Sequence, residues 1–344
     1  MLKPLIGKLV DGTHLSEVET MDAMEHIMGG QASDGQVGAF LAALRLKGET
    51  TDELVGAARV MRRHATPLTP PIAGLVDTCG TGGDASRSFN ISTAAAFVLA
   101  GAGLRVAKHG NRAVSSHCGS ADVLQALGVC IEVDMETTRA CIEEIGVGFL
   151  YAPMVHAAMR HVAPLRRDIG IRTMFNLLGP LTNPAGVAHQ VVGVSRPEHV
   201  RLLAEALLRL GTRRTLVVHG FDGLDEVTIS APTLVAEVCD GAVTEYVVAP
   251  EDAGLERAPL ETIRGGDERV NADIIRRILA GERSPRRDVV LLNAAAALFV
   301  SGEARDLRAG TRLATLSIDS GAAREKLDHL AHRTNRAHVA RATT

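Results

Sequence analysis

Residues 73–93 read AGLVDTCGTGGDASRSFNIST. Ala73–Thr78 has the apolar character of a short strand. Cys79 to Asp84 then place three glycines and an aspartate in a loop, and an Ala-rich helix is expected from about Ser92. Strand, glycine loop and helix in that order form the repeating unit of a parallel sheet covered by helices, with the loop at the carboxyl end of the strand where α/β proteins bind ligands. A loop of free amides running into a helix start suits an anion. Asn90, Ser92 and Thr93 can cap that helix and also donate to phosphate oxygens.

Gly80-Thr81-Gly82-Gly83-Asp84-Ala85 satisfies the dinucleotide pattern GxGxxG/A in form. That pattern needs an acidic residue about 20 positions on to hold the ribose. The next strand, Leu104–Lys108, ends instead in Lys108-His109-Gly110-Asn111-Arg112, and no GxxxxGK[ST] occurs. A nicotinamide site and a Walker loop are therefore both disfavoured.

Lys108–Ser120, KHGNRAVSSHCGS, is a second loop between a strand and a helix expected from about Ser120. It combines cationic, amide and hydroxyl donors with two glycines for close backbone approach. Two such loops on neighbouring strands point to a ligand with more than one phosphate group. A third stretch, His219-Gly220-Phe221-Asp222-Gly223-Leu224-Asp225-Glu226, follows a strand over Thr215–His219. In a glycine-containing turn Asp225 and Glu226 can converge. A carboxylate pair opposite phosphate loops suits Mg²⁺, which takes a few protein oxygens and fills its shell with phosphate and water.

Outward from these loops the alternation continues through a strand at Gln190–Val194 and a helix over Pro197–Leu210, so the fold class is α/β with a mostly parallel sheet. The first 66 residues are different. Ser16 with Glu19, Ser33 with Gln36, and Thr50 with Glu53 form three capping boxes. Val37, Phe40, Leu41 and Leu44 follow at helical spacing, with Gly48 as the C-cap. Pro67-Leu68-Thr69-Pro70-Pro71 ends this helical region. The expected division is a helical domain over 1–70 and an α/β domain over 71–344. Residues 150–185 interrupt the alternation with helix-like, Arg-rich sequence, consistent with a return to the helical layer.

The 344-residue chain carries a net charge of −3, with Arg outnumbering Lys 32 to 5. No broad basic field is present to hold nucleic acid, and no apolar run is long enough for a membrane span. Five scattered cysteines without CxxC spacing argue for a reducing compartment, so a cytoplasmic location is expected.

GTGGD, NIST, KHGNR, the SS–GSAD stretch, RHVAPLRRDIGIRT, FNLLGPLTNPA, DGLDE, GGDERVNADIIRRILAGE and DVVLLNAAAALF occur together in this order. In that combination the chain resembles the anthranilate phosphoribosyltransferase family over nearly its whole length. The resemblance implies transfer of the 5-phosphoribosyl group from phosphoribosyl diphosphate to the amine of anthranilate, in tryptophan biosynthesis, with Mg²⁺ and two ions per subunit. It also implies a homodimer joined through the helical domain, to which a returning segment near 154–185 belongs.

The resemblance assigns phosphoribosyl diphosphate to Gly80, Gly83, Asp84, Ser88, Asn90, Ile91, Ser92 and Thr93. It assigns the same ligand to Lys108, His109, Gly110, Asn111, Arg112, Ala113, Val114, Ser115, Ser116 and Ser120. Anthranilate falls to Gly80, Asn111 and Arg166, and the metal to Ser92, Asp225 and Glu226. Lys108, Asp225 and Glu226 would carry the charge that builds on the leaving diphosphate. No residue stands out as a general base, with His109 and His156 as candidates. Ala85 and Ala157 depart from the family's usual glycine and proline. Two other readings compete. A pyrimidine nucleoside phosphorylase would share the Lys-His-Gly loop but not need the Asp225–Glu226 pair, and a non-catalytic nucleic-acid binder would need a basic stripe.

Overall fold

The computed structural model describes residues 2–113 and 118–342. Four helices come first: α1 (Leu2–Val10), α2 (Glu17–Met28), α3 (Asp34–Lys47) and α4 (Thr51–His64). All three capping boxes form as the sequence predicts, each Ser or Thr side chain accepting the N–H of the residue three positions on. Gly48 closes α3 at φ 88°.

The α/β part follows with β1 (Leu75–Asp77), α5 (Ile91–Gly101), β2 (Arg105–Gly110), α6 (Ser120–Ala126), α7 (Met135–Glu144) and β3 (Val147–Tyr151). The chain then runs through α8 (Ala152–Val155), a 3₁₀ turn at Ala157–His161, α9 (Ala163–Ile169) and α10 (Phe175–Leu178). It re-enters the sheet with β4 (His189–Gly193), α11 (Glu198–Arg209) and β5 (Arg214–Gly220). The hairpin β6 (Thr233–Cys239) and β7 (Ala242–Val248) and helices α12 (Glu268–Leu279), α13 (Pro285–Val300), α14 (Leu307–Asp319) and α15 (Ala322–Ala342) complete it.

The seven strands lie in the order β3-β2-β1-β4-β5-β6-β7. The first five are parallel, and the hairpin is antiparallel to β5. The hairpin is an addition to the expected alternation, and Asp240-Gly241, at φ 49° and 79°, is the Asp-Gly pair that a two-residue hairpin loop requires. β3 is a second addition, because its five residues are uniformly buried and carry no alternation to mark a strand.

Adjacent strand residues face opposite cores, as the two-residue period demands. Val191, Leu216 and Val218 pack with α5 and α13, whereas Val192 and Val217 pack with α11 and the N-terminal helices. Val162, Met174, Phe175, Leu177, Leu178 and Leu181 share that second core with Phe40, Leu44 and Leu54. Arg62 of α4 ties the helical layer down, donating to the carbonyls of Leu181 (2.7 Å) and Leu210 (3.3 Å).

The strand order reverses between β1 and β4, since β1 is followed on one side by β2 and on the other by a strand that comes much later. In doubly wound sheets a crevice opens at the carboxyl ends of two such strands.

Candidate active site

A cleft of about 1000 Å³ occupies that crevice, lined by both glycine loops, by Asp225 and Glu226, and by residues of α8–α10. Its floor depends on glycine. Thr81 N–H donates to the Gly193 carbonyl at 2.8 Å, and a Cβ on Gly80 would stand 3.0 Å from the same oxygen. A Cβ on Gly193 would overlap the carbonyl of Asp225. Loop one, the end of β4 and the acidic turn are thus in direct backbone contact.

Beneath the loops lies a polar knot built on Asp77, which is completely buried. Its carboxylate accepts from Thr78 N–H (2.8 Å), His109 N–H (3.2 Å) and Asn183 Nδ2 (2.8 Å). Asn183 also donates to the Ala107 carbonyl at 2.9 Å. Burial still pushes the Asp77 carboxyl up to about 6, against the pull of Lys108 and the hydrogen bonds. Sequence reasoning gives no role to Asp77 or Asn183, although Asn183 stands in the FNLLGPLTNPA stretch, because their pairing joins segments about 100 residues apart.

Lys108 is 3% exposed. Its ammonium sits under loop one and donates to Ser92 Oγ (3.2 Å) and to the hydroxyl and carbonyl of Thr78 (3.3 and 3.4 Å). Ile91 and Thr93 are buried at the start of α5, whereas Ser92 is half-buried at the cleft. Asn90 stands at the N-cap position but its side chain does not cap the helix, contrary to expectation. It bridges instead, donating to the Cys118 carbonyl (3.1 Å) and accepting from Asn271 Nδ2 (3.0 Å), so packing between loops takes precedence over capping. Asn271 in turn accepts the N–H of Gly266 at 2.8 Å. Ser88 forms an isolated bridge with Arg264, which brings residues 264–267 to the rim.

In the second loop, the Asn111 carbonyl accepts from Ser120 Oγ at 3.3 Å, and a Cβ on Gly110 would strike that serine and Phe149. Arg112 donates to Asp122 (2.9 Å) and to the Tyr151 hydroxyl (3.2 Å), and Ala113 N–H also donates to Asp122 (3.0 Å). Val114, Ser115 and Ser116 lie outside the described residues.

His109 and His156 meet edge to face, ring centroids 5.1 Å apart. His109 Nδ1 is 3.1 Å from the Gly179 carbonyl, which can only accept, so its Nε2 carries the lone pair in the neutral ring. Burial depresses His109 to about 3, helped by His156, and depresses His156 to about 4.

Across the cleft, Asp225 and Glu226 do converge with loop one. Asp225 N–H donates to Asp84 Oδ2 at 3.4 Å, and Glu226 accepts from the backbone and hydroxyl of Ser92. Burial pushes Glu226 up to about 7, opposed mainly by Lys108. Asp225 is raised well above the carboxylate range by burial, then by Asp84 and Glu226. Like charges enclosed this closely favour a cation among them. No group of three or more His, Cys, Asp or Glu among the described residues could hold a metal unaided. Two carboxylates and a hydroxyl therefore fit an ion that takes the rest of its shell from phosphate and water.

Arg166 borders the opposite wall, its guanidinium 5.2 Å from the Phe175 ring centroid. Arg160 and Arg172 line the cleft with it, whereas Arg167 does not.

Comparison with known proteins agrees with this geometry. Residues 3–65 match the helical bundle domain of the glycosyl transferase family, and residues 73–324 match its a/b domain. The chain is 56% identical over 327 residues to the anthranilate phosphoribosyltransferase of Moorella thermoacetica, covering 95% of this chain and 96% of that protein. The crystal structure of the Thermus thermophilus anthranilate phosphoribosyltransferase superposes with a TM-score of 0.90 at 45% identity, over 96% of this chain and 99% of that one. The Saccharomyces cerevisiae enzyme, in complex with PRPP and Mg, gives a TM-score of 0.90 at 30% identity, over 97% and 98%.

Proposed function

This chain belongs to the glycosyl transferase family as an anthranilate phosphoribosyltransferase, and from that premise we propose how its cleft divides the work. Phosphoribosyl diphosphate lies along the Gly80–Thr93 and Lys108–Ser120 loops, and anthranilate lies against Gly80, Asn111 and Arg166. The observation that carries this reading is the meeting of Asp84 and Ser92 with Asp225 and Glu226, two segments about 140 residues apart in the chain.

Transfer breaks the bond from the ribose carbon to the diphosphate oxygen and forms one to the amine nitrogen, which then loses a proton. The ribose carbon passes through an oxocarbenium-like state. Mg²⁺, held by Ser92, Asp225 and Glu226 and numbering two ions, would supply positive charge to the diphosphate. The amides of loop one hold the leaving group in place, and Lys108 supports Ser92 and Glu226 from below. Arg166 grips the anthranilate carboxylate as a fork. The aromatic amine is neutral, so it needs orientation more than a base. His109 and His156, depressed by burial to about 3 and 4, are neutral rings at neutral pH.

The helical domain is taken as residues 1–70 with the returning segment near 154–185, supported by the burial of Val162 and Met174 among the N-terminal helices. The α/β domain is then 71–344. A homodimer through the helical domain is supported by apolar side chains left in solvent there, Leu46 at 88% and Val10 at 71% exposed. The five free cysteines support a cytoplasmic location. Among the described residues no helix is long and apolar enough to cross a membrane.

The decisive experiment follows the loss of anthranilate fluorescence in the presence of phosphoribosyl diphosphate and Mg²⁺. A folded chain without turnover overturns the reading. Sedimentation of the wild type beside Leu46→Asp tests the dimer, which is wrong if the wild type sediments as a monomer.

A further inference from the structure

Arg166 and Arg172 leave the same arm of the chain but reach different places. Arg172 crosses the cleft to loop one, where its Nη2 donates to the Thr81 carbonyl at 3.1 Å. Its Nη1 lies over Gly83, so closely that a Cβ there would overlap it. Asp225 and Asp84 are the acids whose charges act on it. Two other cations of the glycine loops are otherwise engaged. Lys108 is buried under the loop among Thr78 and Ser92, and Arg112 is held by Asp122 and Tyr151. Arg172 is half-buried, makes a single hydrogen bond through its guanidinium among the described residues, and stands directly on the glycine loop.

We propose that Arg172 is a donor-binding residue, its guanidinium fork pairing with diphosphate oxygens over Gly82–Asp84. This rests on the reading of the loop given above. A planar fork of N–H groups matches phosphate bidentately in a way that an ammonium does not. Without donor, the fork faces the carboxyl groups of Asp84 and Asp225. When those acids face a bound cation, the guanidinium is left to the diphosphate that arrives with it. The arm then serves both substrates, Arg166 the acceptor's carboxylate and Arg172 the donor's diphosphate.

The test uses the full chain as wild type, Arg172→Ala and Arg172→Lys. Binding of phosphoribosyl diphosphate with Mg²⁺ is measured by calorimetry, with KM for each substrate and Tm alongside. Arg172→Ala should weaken donor binding and raise donor KM by about 10- to 100-fold, with the anthranilate KM moving less than about threefold. Arg172→Lys should recover only part, and Tm should hold because the side chain is half exposed. Unchanged donor affinity in Arg172→Ala overturns the proposal. So do equal effects on both substrates, which mark a strut between loop and arm. A wild type that binds donor without turning over refutes the reaction assigned to the site and leaves the binding comparison intact.

Discussion

Asn293 of α13 holds the peptide of Val227 from both sides: Val227 N–H donates to Asn293 Oδ1 at 3.0 Å, and Asn293 Nδ2 donates to the Val227 carbonyl at 2.9 Å. Val227 follows Asp225 and Glu226 directly, so a buried helix residue sets where the acidic turn ends. Asp222 pins the turn's other side, accepting from Leu224 N–H at 3.1 Å and from the hydroxyls of Thr228 and Ser230. Asn293→Leu keeps the branched shape, adds bulk, and leaves a buried N–H and carbonyl unpaired, a loss of about 2–5 kcal/mol of stability. Urea denaturation measures it, and the folded fraction should also need more Mg²⁺ for half-maximal rate. A loss below about 1 kcal/mol with unchanged Mg²⁺ dependence would show that the clamp does not matter.

Replacing Asp225 with Asn and Glu226 with Gln together keeps size and removes charge. The variant should fold, because burial already disfavours both ionised carboxylates. Turnover should fall by several orders of magnitude as the leaving group loses its charge stabilisation, and added Mg²⁺ should restore part of it through the diphosphate itself. Near wild-type activity at ordinary Mg²⁺ refutes the metal role.

Arg166→Ala should raise the anthranilate KM by about 10- to 100-fold and the donor KM far less, the loss of one charge-assisted fork. Steady-state kinetics with each substrate varied in turn decides it. Equal effects on both would make Arg166 a structural residue.

The buried imidazoles predict an acid limit to stability. His109 and His156 titrate near 3 and 4 in the folded chain, against an ordinary value of 6.5. A depressed histidine adds stability that is complete above the unfolded value and is lost as pH falls from there through the folded one. Tm of the wild type should therefore decline below about pH 6.5, and the double substitution to Gln should flatten that decline. Parallel Tm profiles for the two proteins would contradict it.

Much of this protein was readable locally. A capping box needs only residues three apart, and the glycine loops announce themselves by following apolar strands, so the helical start, the parallel sheet and both loops followed from sequence pattern. The family motifs then marked Arg166, Asp225 and Glu226 within a chain whose arginines otherwise look alike. What pattern alone could not supply was adjacency between distant segments. Asp77 with Asn183, Asn90 with Asn271 and Asn293 with Val227 are buried or part-buried pairings that nothing in the order of the chain announces. Their worth arises from exclusion of water, since a buried polar group must find a partner and only the packed fold decides which one. Arg172 makes the same point. In sequence it is one arginine of a cluster, and its reach to Gly83 exists only because helix packing and strand order bring its arm over the β1–β4 crevice.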